Sequence, residues 1–187
     1  MKTVKLNFVR FFLVFGFMLI SLTGNSQDRK LSRQERKEVR KMEKDQNYVI
    51  IDSLLNAKSF VLEANYLQNK YGVRVPVNPT LNFLMIDNPN GVIQTGSDTR
   101  IGYNDVGGIT AEGSIGLWKV HKDPEKQVYT VSFNLFTQIG NFDVLLTVNS
   151  GNNASATISG VTSGRLTWHG HLNTVGNSRV FKGRESI

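Results

Sequence analysis

Two histidines near the end of the chain have the spacing of metal ligands. His169 and His171 stand two positions apart in a predicted strand, so both imidazoles project from one face and are able to chelate zinc or copper. His121 ends another predicted strand, and Asp143 is the type of additional ligand that such a site needs. The spacing supplies no further ligand, so two solvent-facing imidazoles are the simpler interpretation and a metal site is the alternative.

A loop rich in glycine and acidic residues is the second candidate for chemistry. Residues 96–108 include Asp98 and Asp105, and binding residues concentrate on loops that a rigid sheet carries. Paired carboxylates of this kind serve glycoside hydrolysis, although aspartates also cap turns through their own backbone. Glu63 and Glu112 fall at outward positions of predicted strands, where solvated carboxylates are expected. The loop therefore supports an alternative function, a carboxylate-dependent hydrolase acting on glycans.

Several other classes of chemistry lack the residues that they require. The chain has no cysteine, which excludes disulfides, thiolate nucleophiles, iron–sulfur clusters and thiolate zinc sites. It also has no Gly-x-Ser-x-Gly elbow, no dinucleotide-binding glycine motif and no phosphate loop. We therefore expect a non-catalytic protein that uses no cofactor.

The charge distribution argues against a nucleic-acid partner. The formal net charge is +7, but Lys2, Lys5 and Arg10 lie in a basic start without any acid, and the remaining residues carry +4. Nucleic-acid-binding domains usually show a dense basic patch with interleaved aromatic residues. A net charge of +4 indicates only a soluble protein.

The first 26 residues have the organisation of a signal peptide. A basic segment precedes the apolar run 11–22, and Gly24 and Ser26 provide the small residues that a signal peptidase accepts before Gln27. The run is shorter than the roughly 20 residues that a membrane-spanning helix needs. We expect residues 1–26 to be removed, which leaves a periplasmic or secreted protein with no transmembrane segment and no lipid-attachment cysteine.

One helix is predicted after the leader, within a segment of residues 27–58. Ser32 and Glu35 form a capping box, and no glycine or proline interrupts the helical pattern over 33–56. The first half of this helix is charged around most of its circumference, which indicates a solvated helix or a site for an acidic polymer or lipid headgroups. The second half is apolar nearly all round, so it must pack against the following domain.

Residues 127–150 predict a β-hairpin with its turn at Gly140-Asn141, because this dipeptide tolerates the positive φ of two-residue turns. That turn pairs Phe133 with Val148, Leu135 with Leu146 and Ile139 with Phe142, which places the apolar residues on one face.

Residues 59–187 predict eight or so strands joined by short turns, which is typical of an antiparallel meander. A long twisted meander removes its exposed edges by closing, so we expect a mainly β, lipocalin-like barrel, with a two-sheet sandwich as the alternative. The apolar half of the helix is expected outside the barrel or plugging one end. Tyr66 and Leu117 fall on the inward parity. Four apolar residues fall on the outward parity and suggest a partly covered outer wall, namely Trp118, Val128, Phe136 and Leu145.

Aromatic residues on the inward parity suggest what such a barrel does. Tyr129, Phe133, Phe142 and Trp168 are expected to line its interior, and no catalytic constellation accompanies them. The sequence therefore predicts a binding module for a small hydrophobic ligand, or for an envelope protein gripped by the open end.

Four short motifs, in their order and spacing, are similar to one known family. The chain resembles domain-of-unknown-function family 4251 of exported proteins from Bacteroides-type bacteria, over about 35–183. The resemblance implies export and an N-terminal helix before a lipocalin-like β domain; the family has no agreed activity, so no site residue is transferred. Some relatives look like lipoproteins, whereas this chain lacks the cysteine. The motifs are Phe60-Val61-Leu62-Glu63-Ala64, Asn82-Phe83, Gly107-Gly108-Ile109-Thr110 with Gly113, and Val180-Phe181-Lys182-Gly183.

Overall fold

A computed structural model describes residues 32–97, 107–160 and 164–186 of the chain. The predicted signal peptide, Asp98 and Asp105 lie outside these residues. Contacts divide the chain into a first unit that ends at Glu38 and a second that begins at Val39. No helix in the described ranges has the length and apolar character needed to cross a bilayer.

The helix α1 (Arg33–Ala57) begins at the predicted capping box. The backbone N–H of Ser32 donates to Glu35 Oε2 over 2.7 Å, and the N–H of Glu35 donates to Ser32 Oγ over 3.2 Å. These two bonds satisfy donors that a helix start would otherwise leave unpaired. The predicted start is confirmed, and the helix ends one residue beyond its predicted end.

Nine strands follow the helix in the described residues, and each pairs antiparallel with its neighbours. Their alternating burial, clearest in the sixth strand, gives the sheet one inward apolar face. The strands are β1 (Ser59–Asn69), β2 (Arg74–Pro76), β3 (Phe83–Asp87), β4 (Asn90–Thr95), β5 (Ile109–Asp123), β6 (Val128–Thr137), β7 (Gly140–Asn149), β8 (Ala154–Ser159) and β9 (Arg165–Asn173).

The first and last strands close the sheet into a barrel. One edge of β1 pairs with β9 from Val61 opposite Asn173 to Asn69 opposite Leu166, while the other edge pairs first with β3 and then with β2. The result is a closed antiparallel barrel of eight strands with β2 as an extra strand. The predicted barrel is confirmed, and the sandwich alternative is wrong.

The hairpin of β6 and β7 has the predicted faces but a different turn. Phe133 pairs with Val144 and Leu135 with Phe142, so the turn residues are Gln138 and Ile139. Gly140 follows the turn with a φ of 140°, a position at which hairpins with an ordinary turn commonly use glycine. The predicted turn at Gly140-Asn141 is therefore wrong. The pairing moved by an even number of residues, which leaves every side chain on its predicted face.

A β-bulge reverses two predicted orientations in β5. The pairing with β6 shifts between Gly116 and Lys119, where Leu117 has a φ of 49° and is 72% exposed. Trp118 instead turns inward, and its ring stacks on Phe133 with centroids 4.9 Å apart. A similar shift in β1 after Ala64 leaves Tyr66 exposed rather than inward. The extra residue in a bulged strand explains why simple alternation fails at these points.

The second half of α1 plugs one end of the barrel. Ile51 and Leu55 are almost completely buried in the same core cluster as Phe60 and Tyr129 of the barrel interior. Phe136 and Leu145 on the outer wall remain exposed, so of the two predicted positions of the helix, outside the barrel or plugging one end, the second is the one observed.

The C-terminal residues 174–186 cover part of the outer wall instead. Val175 and Val180 pack on a small outer cluster of Val61, Phe83 and Val92. This second core explains why Val61, at an outward position of β1, is fully buried. The tail is therefore an integral layer of the fold.

Candidate functional site

A cavity of about 530 Å³ lies at the barrel end opposite α1. The last residues of β4 and β8, the first residues of β5 and β9, and the turn between β6 and β7 form its walls. The described residues that line it are Ile93, Thr95, Ile109, Ala111, Ile139, Gly140, Phe142, Ile158, Gly160, Gly164, Arg165, Leu166 and Trp168.

The described lining is apolar apart from three residues. Thr95, Arg165 and the indole of Trp168 are the only ones whose side chains contain polar atoms, and Arg165 is the only charged one. A concave, mostly apolar surface with a few polar groups is the usual composition of a small-molecule site. The cavity is therefore the candidate functional site of the described chain.

Local sequence keeps this end of the barrel from filling with side chains. Ala111 contributes only a methyl group at a position where Ile93, opposite it on β4, contributes a larger chain. A Cβ added at Gly160 would lie 3.3 Å from the ring of Phe142, so glycine leaves room beside that ring. At Gly108 an added Cβ would lie 2.2 Å from the carbonyl oxygen of Thr95, which requires glycine where the chain enters β5.

Two of the four aromatic residues predicted to line a ligand site lie in this cavity. Phe142 and Trp168 contribute to its walls, whereas Tyr129 and Phe133 do not. Phe133 is buried under Trp118 in the middle of the barrel. Tyr129 lies at the end plugged by α1, because it comes at the start of β6 and the cavity lies at the other end of that strand. Alternation along the strands predicts that all four side chains face the interior, but it does not predict their positions along the barrel axis.

The Trp168 side chain combines burial with an unused donor. Only 2% of Trp168 is exposed, and its Nε1 has no hydrogen-bond partner among the described residues. Buried donors in folded proteins are almost always paired, so this indole N–H is a group that an acceptor from outside the described residues would satisfy.

Polar residues at the plugged end form a separate cluster around Asp52. The Oδ1 atom of Asp52 accepts hydrogen bonds from Lys122 Nζ over 2.7 Å and from the Tyr129 hydroxyl over 2.9 Å. The bond from Lys122 is the main reason that the pKa of Asp52 is lowered, and burial raises the pKa of Tyr129. Each group has a partner that fixes α1 to the barrel, so we interpret the cluster as structural.

The two strand histidines share the outer face of β9 and have separate partners. His169 Nε2 lies 2.8 Å from Gln68 Oε1, and His171 Nε2 lies 3.4 Å from Glu63 Oε2. Burial lowers the pKa of His169. Across the described ranges, no three His, Asp or Glu side chains come together as a metal site would require.

The carboxylates of the outer wall are held by the C-terminal tail. Ser178 Oγ donates to Glu63 Oε1 over 2.6 Å, and Lys182 Nζ lies 2.7 Å from Glu112 Oε2. The outward positions predicted for Glu63 and Glu112 are those observed. Neither lines the cavity, and Asp143, on the outer face of β7, accepts a bond from Asn134.

A second depression of about 430 Å³ lies on the outer face of β5 to β9. Polar and charged residues, including Lys119 and Asp143, line much of it, and Arg165 borders both this depression and the cavity. The position of Arg165 at the start of β9 explains this double contact, because that residue lies on the rim of the barrel.

Ile158, Leu166 and Arg165 line the cavity but are not among the candidate site residues that the sequence predicts. Only barrel closure shows which inward residues lie at the unplugged end. The signal for Arg165 is that a cation begins the strand that leads from the rim to Trp168.

Comparison with known proteins supports the fold and identifies the family. The chain is similar to a DUF4251 family protein from Bacteroides eggerthii, whose crystal structure was determined at 1.95 Å resolution. The two are 28% identical, the match covers 72% of this chain and 92% of that one, and the TM-score is 0.61. No curated protein matches the sequence. The sequence model of DUF4251, described as a domain of unknown function, matches residues 42–172, which include nearly the whole barrel, and the chain therefore belongs to this family.

Proposed function

We propose that the protein is a non-catalytic binding module that holds a small, largely apolar molecule in the cavity opposite α1. The observation that carries this proposal is the cavity itself. Its volume of about 530 Å³ is within the range of roughly 300–1,000 Å³ that small-molecule sites occupy. Burial of an apolar ligand against such walls is favourable because it removes apolar surface from water.

The alternative of a glycan hydrolase has less support from the described residues. A hydrolase of this type places two carboxyl groups on either side of the bond that it cleaves. None of the described residues that line the cavity is acidic. The cavity walls instead provide the apolar contact surface of a carrier or sensor.

The export expected from the first 26 residues is part of the proposal. We infer that a signal peptidase cleaves before Gln27 and that the mature protein works in the periplasm or outside the cell. Its support is the sequence of a basic start, a short apolar run and small residues at Gly24 and Ser26. Mass spectrometry of the protein from its native host should find Gln27 at the N-terminus. Recovery of a membrane-bound form that still contains Met1 would overturn this part.

A fluorescence titration tests ligand binding at the cavity. Trp118 and Trp168 are the only tryptophans, so replacement of Trp118 with Tyr leaves Trp168 as a single reporter in the cavity wall. We expect a neutral apolar dye, N-phenylnaphthylamine, to bind saturably, with increased dye emission and quenched Trp168 emission. A signal that stays linear with dye concentration would contradict a defined site.

Two variants that each replace an alanine with phenylalanine test whether the dye binds in the cavity. Ala111→Phe places a ring in the cavity and should weaken dye binding at least about tenfold, which is a loss of roughly 1.4 kcal/mol. Ala57→Phe adds the same ring at an exposed position at the end of α1 and should leave binding unchanged. Thermal unfolding of both variants checks that they are folded. Equal affinity of the two folded variants would remove the cavity as the site.

A further inference from the structure

The polar groups at the cavity point to one chemical class of ligand. We infer that the ligand is an amphipathic anion, with its apolar body in the barrel and its acidic group at Arg165. A medium-chain carboxylate is the simplest representative of this class. This inference rests on the proposed function and specifies the chemistry of the same site.

Arg165 occupies the place at which a ligand would leave its headgroup. It is the first residue of β9, its side chain is exposed, and it borders the cavity, whereas Trp168 lies three residues further into the barrel. An apolar chain inserted along β9 would therefore end beside Arg165. Long basic side chains at such a rim keep their charged group in water while their apolar stem contacts the wall.

The guanidinium of Arg165 has no acidic partner within the described ranges. The ion pairs found there involve Lys122, Lys126, His171 and Lys182 instead. An arginine presents five donors in a planar fork that matches the two oxygens of a carboxylate. The rim of the cavity therefore has a cation able to form a bidentate contact.

The other conspicuous polar atom of the cavity walls also favours an acceptor. Trp168 Nε1 is a donor only, and it lacks a partner in the described part of the chain. Arg165 is the charged residue of the described lining, so a cationic ligand would be repelled by it. A neutral apolar ligand would gain nothing from this arginine. Of the three charge classes, an anion is therefore the one that gains a favourable charge interaction at the cavity rim.

A competition experiment separates this inference from the proposed function. N-phenylnaphthylamine is bound first, and decanoate and decanol, which share a chain length and differ in charge, are then titrated as competitors. The measurements use the wild type, Arg165→Gln, Arg165→Lys and Arg179→Gln. Arg179 is an exposed arginine in the C-terminal tail and does not line the cavity, so its replacement removes the same charge elsewhere.

The expected result is a selective loss of decanoate binding. Arg165→Gln should weaken decanoate at least about tenfold, the scale of a charge-assisted hydrogen bond, with decanol and the dye unchanged. Arg165→Lys should retain part of the decanoate affinity, and Arg179→Gln all of it. Added salt should weaken decanoate binding to the wild type, because an exposed cation is screened.

Two different failures have different meanings. If the dye and decanol bind at the cavity but Arg165→Gln affects decanoate no more than Arg179→Gln does, the inferred anion class is wrong and the proposed function stands. If neither the dye nor the two competitors bind the wild type, the proposed function is wrong and the inference falls with it.

Discussion

The hydroxyl of Tyr129 donates a 2.9 Å hydrogen bond to the carboxylate of Asp52, which joins the first inward residue of β6 to the second half of α1. Their elements are far apart in the sequence, so this bond forms only when the helix plugs the barrel. The ring of Tyr48 lies 4.9 Å from that of Tyr129 and adds an aromatic contact to the same junction. The plugged end is therefore fixed by specific contacts, whereas the opposite end contains the cavity.

Removal of the Tyr129 hydroxyl should loosen this junction. Tyr129→Phe keeps the ring but leaves Asp52 without one donor, and we expect the free energy of unfolding to fall by about 1 kcal/mol. Urea unfolding followed by circular dichroism measures the change. Tyr71→Phe is the matched control, because Tyr71 is 79% exposed and should show no measurable effect. Equal stability of the two variants would show that the bond contributes nothing to folding.

The Asp52 carboxylate should also make stability depend on acid pH. The hydrogen bond from Lys122 lowers the pKa of Asp52 below its ordinary value of 3.8, so the folded state favours the charged form. This contribution is fully present above the unfolded pKa and is lost as the pH falls through the lower folded value. Asp52→Asn should therefore destabilise the protein at neutral pH, with the difference from wild type shrinking below about pH 4.

Urea midpoints of wild type and Asp52→Asn across this pH range test the linkage. Asp87→Asn is a suitable control for the loss of one carboxylate, because Asp87 is exposed and accepts a 3.2 Å bond from Ser59 Oγ. A difference in stability between wild type and Asp52→Asn that stays constant down to pH 3 would contradict the lowered pKa. A carboxyl group with the same pKa in the folded and unfolded states makes no pH-dependent contribution to stability.

Gln94 connects the C-terminal tail to the barrel through all of its polar atoms. Its Nε2 donates to the carbonyl oxygens of Leu81 and Phe181, and its Oε1 accepts from Thr110 Oγ1 and from the backbone N–H of Gly183. The side chain is fully buried. It therefore satisfies hydrogen-bonding groups of both the sheet and the tail.

Replacement of this glutamine by leucine should release the tail. Gln94→Leu removes all four of these hydrogen bonds, and we expect the free energy of unfolding to fall by about 2–4 kcal/mol, with faster hydrogen exchange at Gly183. Gln46→Leu makes the same change at an exposed position of α1 and should be nearly neutral. Unchanged exchange at Gly183 would show that the tail is held by its apolar contacts alone.

Side-chain periodicity predicted the barrel because the inward residues repeat every second position in β6 to β9 with no interruption. It could not predict the pairing of β6 with β7, since a shift of an even number of residues leaves the faces unchanged and Gly140 fits either turn. The cavity was likewise beyond reach. Phe142 and Tyr129 both face the barrel interior. Only the position of α1 shows that Tyr129 lies at the plugged end and Phe142 at the end with the cavity.

The bulge in β5 gives the most direct test of where periodicity fails. Strict alternation makes Leu117 a core residue, whereas the structure exposes it and gives it a left-handed φ of 49° that glycine adopts without strain. Leu117→Gly should therefore leave the free energy of unfolding unchanged or raise it by about 0.5–1 kcal/mol. Trp118→Ala should instead lower it by about 3 kcal/mol, because the ring that packs between Phe60 and Phe133 is lost. Urea unfolding of the two variants side by side measures both effects. A Leu117→Gly variant less stable than Trp118→Ala would indicate that Leu117 is the core residue, as strict alternation predicts, and would contradict the bulge.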